Sequence, residues 1–172
     1  NIKGKRVVDV GCEAGYVSLR IFGKGARVIS FDICEPALKA FEKKLMKKSI
    51  RDLKPFLALS QNMPLKNNSV DAVVCTEGVE HMPDLDSVFR ECQRILKPGG
   101  KIVITFPNEN LRKLLYPFAR IAGVNTEVEK HVTLFEYSLG EIKSRLRKKF
   151  RLIKSYSIPW YFPITRVLVC RK

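Results

Sequence analysis

A short apolar run that leads into a glycine-bearing turn constrains the fold of this chain more than any other feature. The run covers residues 6–10, the turn covers residues 11–15, and a second apolar run, residues 26–31, ends at the acid Asp32. In parallel α/β sheets such a turn lets a ligand approach the backbone, and an acid about 20 residues later binds ribose hydroxyls. The pattern therefore predicts a site for an adenosine-containing cofactor.

The turn does not fit a strict dinucleotide-binding fingerprint. That fingerprint requires glycine at three positions, which here are Gly11, Glu13 and Tyr16. Because only the first is glycine, NAD is disfavoured as the cofactor.

Strand-like and helix-like segments alternate along the chain. Apolar runs of strand length lie at residues 6–10, 26–31, 56–59, 70–76 and 101–106. Helical patterns are predicted for residues 36–48, for residues 85–96, which end at a Lys-Pro-Gly-Gly stop, and for residues 111–122. This alternation predicts a mostly parallel sheet with helices on both faces.

The C-terminal third predicts a helix followed by two paired strands. Ser138 with Glu141 has the spacing of a capping box, so a helix is expected to run to about Lys148. Residues 150–158 and 165–170 are strand-like, and their connection is too short for a crossover helix. We therefore expect an antiparallel hairpin at one edge of the sheet.

Length and composition are typical of one folded domain. The chain has 172 residues, 45% of them hydrophobic, and no apolar run of 18 residues, so no membrane span is expected. The five cysteines form no CxxC pair and have no metal-like spacing, which predicts buried thiols in the cytoplasm and no metal site. The chain starts just before the first strand, so an upstream segment that completes the site is an open alternative.

The formal charge of +15 predicts attraction to polyanions or anionic surfaces. Much of this charge lies on the predicted helices at residues 36–48 and 138–148, whose other faces are apolar. Two solvated helix faces are the simpler interpretation, and a nucleic-acid partner is the alternative.

Four segments together resemble the class I S-adenosylmethionine-dependent methyltransferases, and in particular the small enzymes that act on small molecules, lipids and quinones. The segments are residues 9–16, 31–38, 63–75 and 80–108. The resemblance implies a Rossmann-like, doubly wound sheet of seven strands with a reversed final strand. It also implies S-adenosylmethionine as cofactor and a single domain, residues 1–172, with a lid-like insertion around residues 108–137.

The resemblance assigns a set of cofactor-binding residues at the carboxyl ends of the strands. These are Asp9, Gly11, Cys12, Gly15, Asp32, Ile33, Asn62, Met63 and Thr76. Two departures bear on this set: Glu13 occupies a place that is commonly glycine, and residues 59–62 contain no acid for the adenine amino group. Gln61, Asn62 or a backbone carbonyl is expected to bind the adenine instead.

The methyl acceptor is expected beyond the fourth strand. Glu80 and His81 follow that strand, and His131 lies in the predicted lid, so these three are the catalytic candidates, with His81 as the nearest base. A structural role in the turn is the alternative for the Glu-His pair.

The function expected from the sequence is methyl transfer to a small-molecule or lipid-like acceptor. The alternatives are methylation of structured RNA, which the charge suggests, and a cofactor-binding partner subunit without activity of its own.

Overall fold

The computed structural model describes residues 1–121, 135–159 and 164–172. The strands are β1 (Arg6–Val10), β2 (Arg27–Asp32), β3 (Pro55–Leu57), β4 (Val70–Thr76), β5 (Leu96–Pro107), β6 (Arg151–Ile158) and β7 (Thr165–Arg171). The helices are α1 (Tyr16–Phe22), α2 (Glu35–Lys47), α3 (Leu85–Ile95), α4 (Glu109–Ile121) and α5 (Leu139–Arg147), with a 3-10 turn at Val79–His81.

The seven strands form one sheet in the order β3-β2-β1-β4-β5-β7-β6. The first five strands in this order are parallel, whereas β7 runs antiparallel to both β5 and β6. The predicted fold class is therefore confirmed, including the C-terminal hairpin at the edge. Strand order reverses between β1 and β4, and in open α/β sheets this is where ligands bind.

Helices cover both faces of the sheet because its central strands are apolar on both sides. One buried cluster joins Val73 and Ile104 to α3 and α5, and a second joins Val7 and Val28 to α1 and α2. The strand ends that carry the predicted site residues are thus held by two packed layers of helices.

The end of α3 differs from the prediction. The helical pattern was expected to continue through Leu96, but the backbone becomes extended at Leu96, where β5 begins. Leu96 is fully buried and pairs with Val70 of β4, so sheet pairing takes over at this residue. Gly99 has a φ of +76°, which is the left-handed turn expected from the Pro-Gly-Gly stop.

Helix α5 begins as the sequence predicted. The Glu141 backbone N–H donates to Ser138 Oγ at 3.1 Å, and the Glu141 carboxylate accepts from the Ser138 N–H at 2.8 Å. This confirms the capping box. Residues 122–134 of the predicted lid, including His131, lie outside the described residues.

No helix within the described ranges is long and apolar enough to cross a membrane.

Candidate cofactor and acceptor site

A cavity of about 580 Å³ lies at the carboxyl ends of β1, β2 and β4. Its walls combine residues from the turns after these strands with the segment after β3. They are Val10, Gly11, Glu13, Ala14, Phe31, Asp32, Ile33, Cys34, Ala37, Ala58, Leu59, Ser60, Gln61, Glu77, Gly78, His81, Met82 and Pro83.

The turn after β1 is open toward this cavity at Gly11. The backbone N–H groups of Gly11 and Cys12 both donate to the Phe31 carbonyl at 2.9 Å, which ties the turn to the end of β2. Gly11 has a φ of +71°, and a Cβ built there would meet no atom within 4 Å. A ligand can therefore lie against the backbone at this point, as the sequence predicted.

Asp32 connects the two turns that form the cavity floor. Its Oδ1 accepts from the Cys34 N–H at 2.8 Å, and its Oδ2 accepts from the Glu13 N–H at 2.7 Å. The residue is 8% exposed and lines the cavity. Because a carboxylate oxygen can accept more than one hydrogen bond, the group can hold these turns and still bind ligand hydroxyls.

Glu13 adopts a left-handed backbone with a φ of +46° and lines the cavity. Its backbone position is one that glycine adopts more easily, which agrees with the expected departure from the family pattern.

Gly15, one of the predicted cofactor-binding residues, does not line the cavity. A Cβ at this position would lie 2.1 Å from Phe41 Cε2, and the φ of Gly15 is +78°. The glycine is therefore required by close packing of the turn against α2.

Asp9 and Cys12 are buried behind the cavity and do not line it. Asp9 Oδ2 accepts from Ser18 Oγ at 2.5 Å, while Asp9 Oδ1 has no hydrogen-bond partner in the described part of the chain. Burial raises the pKa of the Asp9 carboxyl to about 6 and raises the pKa of the Cys12 thiol well above its ordinary value. Asp9 thus joins the end of β1 to Ser18 of α1.

The segment after β3 presents Gln61, one of the residues expected to bind the adenine, to the cavity, but not the predicted Asn62 and Met63. Asn62 is exposed and Met63 is 1% exposed, and neither lines the cavity. The Met63 N–H donates to Glu91 Oε1 at 2.7 Å, so Met63 anchors the segment to α3. Ser60 and Gln61 line the cavity instead.

Two apolar side chains stand at the cavity with much of their surface exposed. Ile33 is 67% exposed and Leu59 is 59% exposed. Covering these apolar surfaces with a flat ring such as adenine would stabilise a complex, because it removes apolar area from water.

The acceptor end of the cavity is formed by the segment after β4. His81 lines the cavity together with Glu77 and Gly78, whereas Thr76 does not. Glu77 was not among the site residues predicted from the sequence. A visible signal was its position directly after a buried strand.

Glu80 does not line the main cavity, although it neighbours His81 in the sequence. Its side chain lines a small void with Phe106, Pro107 and Tyr137, and the residue is only 6% exposed. Burial raises the pKa of its carboxyl to about 7, and Oε2 has no hydrogen bond among the described atoms.

The charge of the cavity is opposite to that of the molecule. Its walls carry the carboxylates of Glu13, Asp32 and Glu77, and its described lining includes no lysine or arginine. The site therefore favours a cationic or hydrogen-bond-donating ligand over a phosphate.

Comparison with known proteins identifies the family. A methyltransferase domain family matches residues 8–104. This chain belongs to the class I S-adenosylmethionine-dependent methyltransferases. S-adenosylmethionine is accordingly the cofactor indicated for it.

Relatives of this methyltransferase include ubiquinone biosynthesis O-methyltransferases. The one from Pseudomonas fluorescens is 34% identical over 67% of this chain and 50% of its own length. The one from Paracidovorax citrulli is 33% identical over 89% of this chain and 59% of its own length. The chain thus spans about half the length of the curated relatives it matches.

The fold is shared with solved methyltransferase structures. A S-adenosylmethionine-dependent methyltransferase from Aquifex aeolicus matches with a TM-score of 0.76 and 18% identity, over 99% of this chain and 84% of the other.

The cavity of this methyltransferase fits S-adenosylmethionine in chemistry. The cofactor carries a positive sulfonium and ribose hydroxyls, and the walls offer carboxylates, with Asp32 placed at the end of β2. The open backbone at Gly11 and the apolar surfaces of Ile33 and Leu59 complete a site for an extended, partly flat ligand.

Proposed function

We propose that this protein transfers a methyl group from S-adenosylmethionine to a hydroxyl oxygen of a small quinone-like or lipid-like acceptor. The observation that carries the proposal is the acid-lined cavity at the β1/β4 switch point, with Asp32 at its floor. The choice of an oxygen acceptor is supported by the names of the O-methyltransferase relatives.

The residues take complementary roles in this proposal. Asp32 binds the ribose hydroxyls, Gly11 allows the cofactor to approach the backbone, and Ile33 with Leu59 covers the adenine. The cofactor supplies an activated methyl group when bound, so the protein mainly orients the acceptor and excludes water. Of the two predicted catalytic residues that the structure describes, His81 lines the cavity and Glu80 does not.

Asp9, Cys12 and Gly15 act on the cofactor indirectly in this proposal, by fixing the shape of the turn. The catalytic role of His131 and the lid around residues 108–137 stay predictions. Four of the five cysteines are buried free thiols, as predicted, whereas Cys34 is exposed. The buried thiols, for example Cys75 and Cys92, support a reducing compartment, which we propose is the cytoplasm.

Methylation of structured RNA is less well supported than a small acceptor. The positive charge lies on the outer faces of helices, for example Lys43 and Lys47 of α2, while the cavity walls carry carboxylates. A phosphate backbone gains nothing from an acidic site.

Calorimetric titration with S-adenosylmethionine and S-adenosylhomocysteine, with NADH as the control, tests the proposal. We expect micromolar binding of the first two and none of NADH, followed by turnover in a screen of hydroxylated aromatic acceptors. Cofactor binding without turnover of any acceptor would favour a partner subunit instead. Absence of cofactor binding would contradict the proposed function.

A further inference from the structure

Glu77 holds an unusual backbone conformation at the acceptor end of the cavity. It is the first residue after β4 and has a φ of +48°, which side-chain-bearing residues rarely adopt. Its neighbour Gly78 has a φ of −129°, an ordinary value for any residue. The left-handed backbone position is thus occupied by a glutamate, while the adjacent glycine has an ordinary conformation. Backbone strain of this kind is frequent at functional sites.

The carboxylate is fixed by Thr105 of β5. Thr105 Oγ1 donates to Glu77 Oε1 at 2.9 Å, and the Glu77 N–H donates to the Thr105 carbonyl at 3.0 Å. Within the described residues, Oε2 of Glu77 has no hydrogen bond. A fixed carboxylate with one unused oxygen is prepared to accept a proton from a ligand.

His81 is held less firmly than Glu77. Its backbone N–H donates to the Gly78 carbonyl, but no hydrogen bond to its imidazole ring occurs in the described part of the structure. Orientation of a base is a large part of its catalytic effect, so the geometry favours Glu77 as the proton acceptor.

The surroundings of Glu77 adjust its basicity. Burial raises the pKa of its carboxyl above the ordinary 4.5, the Thr105 hydrogen bond and Arg112 lower it, and Glu109 raises it. Glu80, in the following 3-10 turn, is a further acid near Glu77. A more basic carboxylate is better matched to a phenolic hydroxyl, whose pKa is about 10.

We propose that Glu77, positioned by Thr105, is the catalytic base of the methyl transfer and that the acceptor is a phenolic hydroxyl. This inference rests on the proposed function and names the acceptor chemistry of the same site. The acceptor proton moves to Glu77 Oε2, the oxygen electron pair forms the bond to the methyl carbon, and the electron pair of the broken methyl–sulfur bond stays on sulfur. The products are a methyl ether, S-adenosylhomocysteine and protonated Glu77.

The test compares Glu77→Gln, Thr105→Val and His81→Asn with Glu42→Gln, which makes the same chemical change on the exposed face of α2. Binding of S-adenosylhomocysteine by calorimetry reports on the fold and the cofactor site, and we expect Glu77→Gln to change it less than twofold. Binding of catechol in the presence of S-adenosylhomocysteine reports on the acceptor site, and we expect it to weaken at least tenfold in Glu77→Gln.

Turnover of catechol and its pH profile report on the base. We expect kcat to fall about 100-fold or more in Glu77→Gln and to be unchanged in Glu42→Gln. The wild-type rate should fall as pH drops through the raised pKa of Glu77, because only the carboxylate accepts a proton. Thr105→Val removes a bond that lowers this pKa, so it should move the acid limb to higher pH.

Two results would overturn the inference while leaving the proposed function standing. One is a Glu77→Gln variant with wild-type kcat and catechol affinity beside an inactive His81→Asn. The other is wild-type protein that binds S-adenosylhomocysteine but not catechol. Loss of S-adenosylmethionine binding by the wild type would instead contradict the proposed function itself.

Discussion

Asp32 has two roles at the level of single residues, and they can be separated by experiment. Its carboxylate accepts two backbone N–H bonds, from Glu13 and Cys34, and faces the cavity. We expect Asp32→Ala to weaken S-adenosylmethionine binding at least tenfold, about 1.4 kcal/mol. It should also lower the free energy of unfolding by about 1–3 kcal/mol, because two N–H groups lose their acceptor.

Calorimetry and urea unfolding measure the two effects of Asp32→Ala. Asp52→Ala, which removes an exposed acid outside the cavity, is the control. Unchanged cofactor affinity in Asp32→Ala would remove the ribose assignment.

Asp9 makes stability depend on pH. Its pKa is about 6 in the folded protein against an ordinary 3.8, chiefly because the carboxyl is buried. The folded state therefore binds this proton more tightly than the unfolded state, and Asp9 lowers stability as pH rises from about 4 to about 6. We expect the free energy of unfolding of Asp9→Asn to exceed that of wild type by about 3 kcal/mol at pH 7.5, and to be nearly the same at pH 4. Urea unfolding at both pH values measures this difference; a constant difference would assign the effect to packing.

The sequence predicted where the site lies more accurately than it predicted which contacts each residue makes. Asp32 and Gly11 lie where the sequence placed them, because a strand-terminal acid and an open glycine turn are local features. Gly15 does not line the cavity, and its close packing could not be predicted locally because its neighbour Phe41 is 26 residues away in the sequence. The hydrogen bond from the Met63 N–H to Glu91 of α3 is likewise non-local, so the sequence did not indicate it.

At the level of elements, the N-terminal cap of α5 stabilises a helix that buries two core residues. The Ser138 capping box begins the helix, and Ile142 and Leu146 are at most 1% exposed in the core. We expect Ser138→Ala to lower the free energy of unfolding by about 1 kcal/mol. Ser144→Ala, an exposed position of the same helix, should be neutral or slightly stabilising. Equal urea midpoints for the two variants would show that the cap contributes nothing.

The existence of elements followed from the sequence more reliably than their ends did. The predicted bounds of β4 were correct because polar residues limit that apolar run on both sides. The end of α3 was predicted one residue too late because Leu96 fits either a helix or a buried strand, and its pairing with Val70 decides between them. Helical periodicity is a local pattern, so it does not reveal a non-local contact of this kind.

At the scale of the whole molecule, the net positive charge does not extend to the walls of the cavity. The formal charge is +15, yet the described cavity walls carry carboxylates without lysine or arginine. Helix α2 shows how this arises, because its apolar face packs on the core and its lysines Lys39, Lys43 and Lys47 are exposed to solvent. The simpler interpretation of the charge, as a solvated helix face, agrees with this arrangement.

This separation predicts that polyanion binding and methyl transfer respond differently to salt. Binding to a short DNA duplex should weaken steeply between 50 and 200 mM salt, because each phosphate contact releases counterions. The kcat/KM for a neutral acceptor should change less than twofold over the same range, because the site is partly buried and is not held by phosphate contacts. The variant Lys43→Gln/Lys47→Gln/Lys48→Gln should reduce the salt slope for DNA and leave cofactor affinity unchanged. If kcat/KM fell as steeply with salt as DNA affinity, the acceptor would be a polyanion and the RNA alternative would replace the small acceptor.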